Sequence, residues 1–388
     1  MLASLNKDEK LFMSKNKLIS LHIKNFRSLA KVNINTDSLT VLFGPNGAGK
    51  STFLDALRFA RDCAFIGVEM ALSHRNEGIG ARWDGAVEGA PISIGIETEQ
   101  AFYEILFGYS GERIKPVVRE KLYSKNRGIF LIDCEIGDPD ARHPLLAEID
   151  NLLRSVRYYQ ARSAKFESLR KRGSKTETGF GFLTQLNENC DNLWAVLRHL
   201  HEKRLVDKRY DTIMEFMQES FPSFRGIVFE VFGVCEETAP DAVSASFIEK
   251  GRHFPIPAFG VADSYLQMLV HLTALFSDQD NALILLDEPE LSLHPWALSV
   301  LADAVEIATQ KWNKQVLMAT QSPVLISQFK LEYIFTAEID ETGQCVMTRV
   351  SDNEDIIDLV DDYEMGLLYM SELIAPQSQR LEIPAIAA

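Results

Sequence analysis

Gly44-Pro45-Asn46-Gly47-Ala48-Gly49-Lys50-Ser51 reads GPNGAGKS, a glycine loop of the form Gly-x-x-x-x-Gly-Lys-Ser/Thr. That spacing lets successive backbone N–H groups converge on a polyphosphate, because Gly44, Gly47 and Gly49 carry no Cβ to hold the chain away. Lys50 brings a charge to the β- and γ-phosphates, and the Ser51 hydroxyl is a ligand for Mg²⁺. Asn46, Gly47, Ala48, Gly49 and Thr52 complete the expected nucleotide-binding set. Upstream, the apolar run Leu39-Thr40-Val41-Leu42-Phe43 suits a buried strand. Downstream, Thr52 to Phe59 predicts a helix whose N-terminal dipole faces the phosphates. Strand, loop and helix stand in the order that phosphate binding requires, so ATP is the expected ligand and Mg²⁺ the expected metal.

A second motif lies 237 positions beyond Lys50, where Ala282-Leu283-Ile284-Leu285-Leu286 runs into Asp287 and Glu288. A hydrophobic strand ending in two carboxylates aims one at a metal and the other at a water. Asp287 is expected to hold Mg²⁺ through its water shell and Glu288 to polarise the attacking water. A strand ending in Asp-Glu is common by itself, and its weight comes from the glycine loop upstream.

Composition bounds the remainder. With 388 residues, 46% of them hydrophobic, the chain has material for two to three domain-sized units and a substantial core. No apolar stretch approaches the roughly 18 residues needed to span a bilayer, and the N-terminus is too charged for a secretory signal. Cys63, Cys134, Cys190, Cys235 and Cys345 lie far apart with no C-x-x-C pair, which suggests a reducing, cytoplasmic setting rather than disulfides or zinc. The net charge of −15 repels a nucleic-acid backbone overall, so any nucleic-acid contact is expected to be local. Its candidate is Arg154 to Arg209, with thirteen basic against six acidic residues and its densest cluster at Arg170 to Lys175; a solvated charged face reads equally well. Ser351 to Gln379 has eight acidic residues and no basic one, with apolar residues interspersed as in helices with an acidic outer face. His199 and His201 stand two apart, on different faces of a helix, which favours packing over metal binding.

Pro289-Glu290-Leu291-Ser292-Leu293-His294-Pro295 continues the acidic pair, and Lys314 to Pro323 forms another apolar strand ending in Thr320-Gln321-Ser322. Together with Leu18 to Asn25 leading into Phe26-Arg27-Ser28, these segments resemble the ABC-type ATPase heads of the RecF and structural-maintenance-of-chromosomes (SMC) class, and above all its compact bacterial AAA-labelled members. The resemblance covers roughly residues 18–60 and 255–370. It implies a D-loop after Glu288, a switch residue at Gln321 and a phosphate contact for Arg27; a surface arginine in a turn is the alternative for Arg27. It also implies a glutamine loop, for which Gln160, ending Val156 to Gln160, competes with Gln100, whose strand looks more like part of an antiparallel sheet. The signature segment that caps the partner's γ-phosphate falls at Ala262-Asp263-Ser264, where relatives usually carry Ser-Asp-Gly. Ala262 lacks a hydroxyl and Ser264 adds a Cβ, so a weakened trans contact through Asp263, Ser264 and the helix N-terminus is expected. Gln321 stands where many ABC proteins have histidine; it can hydrogen-bond a phosphate but cannot accept a proton. Slow or partner-triggered turnover fits both changes.

The expected fold is α/β: a P-loop ABC-type head with a mixed central sheet, an antiparallel β lobe, a helical insertion and no long coiled coil. The expected organisation is an N-terminal ATPase lobe over 1–150, a helical insertion over 151–254 and a C-terminal ATPase lobe over 255–388. The resemblance implies a homodimer closing on two ATP-Mg²⁺, with Lys50, Ser51, Asp287 and Glu288 from one chain and Asp263 and Ser264 from the other. No nuclease signature is recognisable, so strand cleavage is expected from a separate effector nuclease, as in anti-phage defence. The alternatives are a DNA-repair ATPase that binds DNA directly and a scaffold that binds ATP without hydrolysing it.

Overall fold

Alternation of apolar and polar residues sets the first sheet. In the computed structural model, β1 (Ser20–Phe26) and β2 (Leu29–Asn35) form a hairpin, and along β2 Val32 and Ile34 are buried while Lys31, Asn33 and Asn35 face solvent. The structure describes residues 17–110, 113–125, 130–132, 144–160, 174–175, 184–232, 242–277, 281–360, 363–371 and 373–375. The chain divides into two compact units, Met1–Arg154 with Ala319–Ala388, and Ser155–Met318.

In the first unit, β3 (Leu39–Phe43) is buried at all its positions and feeds the glycine loop, after which α1 (Lys50–Ile66) begins. A short helix, α2 (Val68–Ser73), follows, and then β4 (Ile92–Glu97), β5 (Ala101–Ser110), β6 (Arg113–Ser124) and β7 (Phe130–Ile132) extend the hairpin into a sheet of order β2-β1-β4-β5-β6-β7. Every neighbouring pair in it is antiparallel, which gives the expected β lobe. α1 packs on this sheet through Phe59, which stacks on Phe26 at 6.0 Å and on Phe107 at 4.9 Å between ring centroids. The helix α3 (Pro144–Ser155) closes this part of the chain.

The second unit opens with β8 (Val156–Gln160) and the two-residue β9 (Ser174–Lys175). Two amphipathic helices, α4 (Leu193–Glu202) and α5 (Arg209–Ser220), lead into the antiparallel pair β10 (Phe224–Phe232) and β11 (Ala242–Glu249), and β12 (Ile256–Pro257) pairs with β11. The ring of His201 packs edge-on against Tyr210, 4.9 Å between centroids. The helix α6 (Asp263–Phe276) is buried at every position from Tyr265 onward, and its apolar circumference marks it as the central helix of this unit. Tyr265 anchors it by stacking on Phe221 at 4.2 Å and by an edge contact with Phe247 at 5.9 Å. Then come β13 (Leu283–Asp287), paired in parallel with β8, and α7 (Pro295–Lys311).

The chain returns to the first unit within β14 (Gln315–Thr320). After the single turn α8 (Pro323–Ile326), β15 (Ile334–Ile339) pairs in parallel with β3 and antiparallel with β16 (Cys345–Arg349). The acidic stretch contains α9 (Glu354–Val360) and α10 (Met365–Met370), the latter placing Tyr369 edge-on against Phe43 at 4.4 Å. Parallel pairing thus occurs in both units. The longest helices among the described residues, α1 and α7, have 17 residues each, short of five turns, so no long coiled coil is present there.

Candidate functional site

The glycine loop is shaped by three different demands. At Gly44 a Cβ would lie 2.1 Å from the Ala337 carbonyl oxygen of β15, so the close approach of two strands excludes any side chain. At Gly49, in the left-handed region with φ 93°, a Cβ would meet Leu29 at 2.9 Å and the Cys345 sulfur at 3.0 Å. Gly47 has open space around its missing Cβ, and only its φ of 81° calls for glycine. Lys50, the first residue of α1, is buried and folds back on the loop, its Nζ donating to the carbonyls of Gly44 at 2.7 Å and Pro45 at 2.8 Å. The loop's own backbone therefore fixes where the ammonium sits. No side chain caps α1 and no acid lies in its first turn, so its N-terminal dipole meets no competing local anion. Asn46, Gly47 and Ser51 are exposed, Thr52 is half-buried and Ala48 is buried. The Ala48 carbonyl accepts a hydrogen bond from the Cys345 thiol, whose pKa burial pushes up to about 12 against the opposing charge of Lys50.

Arg27 occupies the hairpin turn of β1 and β2 with φ 50°, a conformation that costs a non-glycine residue about 1–2 kcal/mol. Its guanidinium pairs with Asp55 of α1 at 3.0 Å, four residues beyond Ser51 and on the same side of the helix. Asp55 also binds Arg75 at 3.1 Å, which reaches Asp62 at 2.8 Å. Burial works against the charge of Arg75, and Asp55 with Asp62 more than offset it, so its pKa is raised. The structure thus brings Arg27 to the second turn of α1, held by an acid.

In the second unit, Asp287 ends β13 with no exposed surface. A buried carboxylate is tolerable only with donors around it. Two come from β8: the Tyr158 hydroxyl donates to Oδ2 at 2.7 Å and the Gln160 amide at 3.3 Å. Parallel register sets Gln160 opposite Asp287 and Tyr158 opposite Leu285, so both side chains project on the face that carries Asp287. Gln100 belongs to the first unit, in the turn between β4 and β5, where its carbonyl accepts from the Lys125 amide at 3.0 Å. Glu288 is half-buried and its backbone is left-handed, φ 52°, as is Ser292 with φ 63°. Such strain gathers where a side chain must be re-aimed at a strand end. Within the same loop, amides of Leu291 and Leu293 donate to the carbonyls of Glu288 and Glu290, and His294 caps α7 by accepting from the Trp296 amide at 3.4 Å. Beneath it, the fully buried His271 of α6 contacts the Pro289 carbonyl at 3.1 Å and Gln267 at 2.9 Å, and burial lowers its pKa to about 4.

At the signature segment, α6 begins at Asp263 with Ala262 at its N-cap, and no side chain caps it. Ala262 and Asp263 are exposed and Ser264 is half-buried. Gln321 follows the fully buried β14 and is half-buried, just before Ser322 caps α8 by accepting from the Leu325 amide at 3.2 Å. Of the basic stretch, Arg170 to Arg172 lie outside the described residues. Among those described, Arg198 pairs with Glu202 and Arg209 with Asp207, while Lys208 reaches Asp211 at 3.4 Å. Local acids therefore neutralise several of these cations.

Reading residues singly missed Tyr158, His271, Cys345 and Ala337. Tyr158 alone left a signal, standing two before Gln160 on an apolar strand.

Residues 39–327 of the 388 match the family described as "AAA domain, putative AbiEii toxin, Type IV TA system". Among curated proteins, "Endonuclease GajA" of Bacillus cereus (strain VD045) is 54% identical over 46 residues, which is 12% of this chain and only 8% of that relative's length. Among solved structures, an SMC head bound to the C-winged helix domain of ScpA is similar with a TM-score of 0.52 at 13% identity, covering 88% of this chain and 99% of that one. An SMC head with an extended coiled coil, bound to the C-terminal domain of ScpA derived from Pyrococcus furiosus, gives 0.46 at 12% identity over 89% and 99%. The structural likeness is one of fold, the P-loop ABC-type head of the RecF/SMC-like class, with no long arm among the described residues. The family match covers about three quarters of the chain, and the chain belongs to this family of AAA-domain, P-loop ATPases.

Proposed function

We propose that the chain hydrolyses ATP and uses it as a condition for joining two copies head to head. The observation that carries this reading is the paired carboxylates: Asp287 is buried and held by two donors, and Glu288 follows it on a strained peptide, half-buried. One acid is buried and held in place by two donors, the other is placed to meet a water. In this reading Asn46, Gly47, Ala48, Gly49 and Thr52 wrap the phosphates of ATP, and Lys50 and Arg27 supply positive charge, the latter after exchanging Asp55 for a phosphate. Ser51 in the first unit and Asp287 with Gln160 in the second are oxygen donors of the kind that Mg²⁺, a hard cation, binds through, and in this reading they would hold it. When bound, it neutralises charge on the β- and γ-phosphate oxygens. Glu288 orients the attacking water and takes its proton, while Gln321 donates to the γ-phosphate. The second copy contributes Asp263, Ser264 and the uncapped start of α6, a contact weakened by Ala262.

Tyr158→Phe tests the metal assignment. Losing the 2.7 Å hydrogen bond to Asp287 is expected to raise the Mg²⁺ concentration for half-maximal hydrolysis about tenfold, read by metal titration at saturating ATP. An unchanged requirement would remove Asp287 from the metal's ligands. The dimer is tested by size exclusion with light scattering: the mass doubles with ATP and Mg²⁺ and stays that of one chain, 43.7 kDa, without nucleotide. A mass independent of nucleotide sinks the switch.

We further propose that the switch regulates a separate effector nuclease in anti-phage defence, in the cytoplasm. Support comes from the endonuclease named in one partial relative and from the toxin–antitoxin wording of the family. Direct DNA binding by a repair ATPase has less support, given the neutralised cations around Arg198 to Asp211. Co-purification with the product of a neighbouring nuclease gene tests the first; salt-sensitive DNA stimulation of hydrolysis would favour the second.

A further inference from the structure

The second unit contains a buried polar pair that the chemistry above does not use. On α6, Ser264, Gln267 and His271 stand at i, i+3 and i+7, a single stripe of the helix. It begins at the residue assigned to the partner's nucleotide and ends, about 10 Å further along the axis, at a side chain touching the carbonyl of Pro289, the residue after Glu288. A carbonyl oxygen can only accept, so the 3.1 Å contact with Pro289 requires His271 Nε2 to carry the proton. Gln267, whose amide nitrogen is placed 2.9 Å from the same Nε2, must then be flipped so that its oxygen faces that proton, an assignment that follows from the hydrogen-bond network. His271 Nδ1 is left as a buried acceptor with no hydrogen-bond partner. Such an orphan typically costs stability, and a leucine at this place would avoid the cost. What the histidine provides is a donor aimed at Pro289, next to a glutamate in the left-handed region.

We propose that His271 is a positioning residue: its hydrogen bond to the Pro289 carbonyl fixes the backbone of Glu288 and links it to the N-terminal turn of α6, so that engagement of Asp263 and Ser264 aligns the catalytic carboxylate. The helix suits the task, because Tyr265 to Phe276 are all buried and the segment moves as one body if it moves. This inference rests on the ATPase reading.

Four full-length proteins test it: wild type, His271→Leu, His271→Gln and His271→Asn. Glutamine places an amide donor near the position of Nε2, whereas asparagine stays polar but falls short of Pro289. With leucine and asparagine, kcat falls at least about tenfold while the KM for ATP and the nucleotide Kd stay within about twofold; glutamine restores kcat to within about threefold. If leucine fails to fold, the asparagine and glutamine pair carries the comparison. In a double-mutant cycle, Ser264→Ala and His271→Asn are less than additive in kcat, because both act through the same alignment. Wild-type kcat in the asparagine protein, or nucleotide affinity falling together with kcat in all three variants, overturns the proposal and leaves the ATPase reading intact. Absence of hydrolysis by the wild type overturns both.

Discussion

Glu288→Gln lowers ATP turnover at least about a hundredfold while leaving ATP affinity within about threefold of wild type, because the amide keeps the shape and polarity of the side chain and loses only the ability to take a proton. Single-turnover hydrolysis and equilibrium nucleotide binding measure the two halves of that statement separately. On the proposed switch, the same variant is expected to accumulate an ATP-joined dimer in light scattering, since hydrolysis would be the event that separates the copies. Its neighbour behaves differently. Asp287 is fully buried and accepts from Tyr158 and Gln160, so substituting it disturbs packing as well as the metal binding proposed for it. Equal, negligible turnover by wild type and Glu288→Gln would instead identify a scaffold that binds ATP without consuming it.

The second large effect is on folding. Gly44→Ala places a methyl carbon 2.1 Å from the Ala337 carbonyl oxygen, backbone against backbone, so either β3 or β15 must shift. We expect a loss of about 3 kcal/mol or more in urea unfolding, at the upper end of overpacking penalties. Gly47→Ala meets nothing within 4 Å and bears only the penalty of φ 81°, about 1 kcal/mol. The contrast is the point of the experiment: both positions belong to one loop, yet only the first is wedged against a neighbouring strand. Similar stabilities for the two variants would show that β15 yields easily at Ala337. Nucleotide affinity gives an independent reading, because Gly47→Ala is expected to weaken binding in a protein that remains folded.

Much of this was legible in the chain. The apolar run Leu39 to Phe43 and the stretch Thr52 to Phe59 on either side of the glycine loop predicted β3 and α1, because these signals are local and each residue type answers a local need. The apolar run into Asp287 predicted β13, and the order of motifs placed Gln160 between them, where the structure sets it against Asp287. The reason Gln160 and not Gln100 stands there is register: β8 is the parallel partner of β13, and no local pattern announces which strand another strand chooses. Tyr158 was hidden for the same reason. Cys345 and Ala337 touch the loop from strands some 290 residues later, where a cysteine and an alanine look like ordinary core. Arg27 shows the opposite limit. Its motif suggested a phosphate contact, but Asp55, read only as part of a helix, turns out to hold the guanidinium. Helix α6 was expected only through the resemblance, as the helix after the signature segment, and its histidine and glutamine carry no periodic signal that would distinguish a backbone clamp from a surface pair.

The two donors on Asp287 bear on how the molecule is assembled. Tyr158 and Asp287 are separated by 129 positions, and bringing the ends of so long a segment together costs about 4 kcal/mol of chain entropy. Until β8 arrives, a charged Asp287 at the end of β13 has no reason to leave water, so its desolvation is deferred to a late, non-local step of folding. A nascent or misassembled chain can therefore present the glycine loop but not an organised acid. On the proposed reading, hydrolysis is withheld until β8 and β13 have paired.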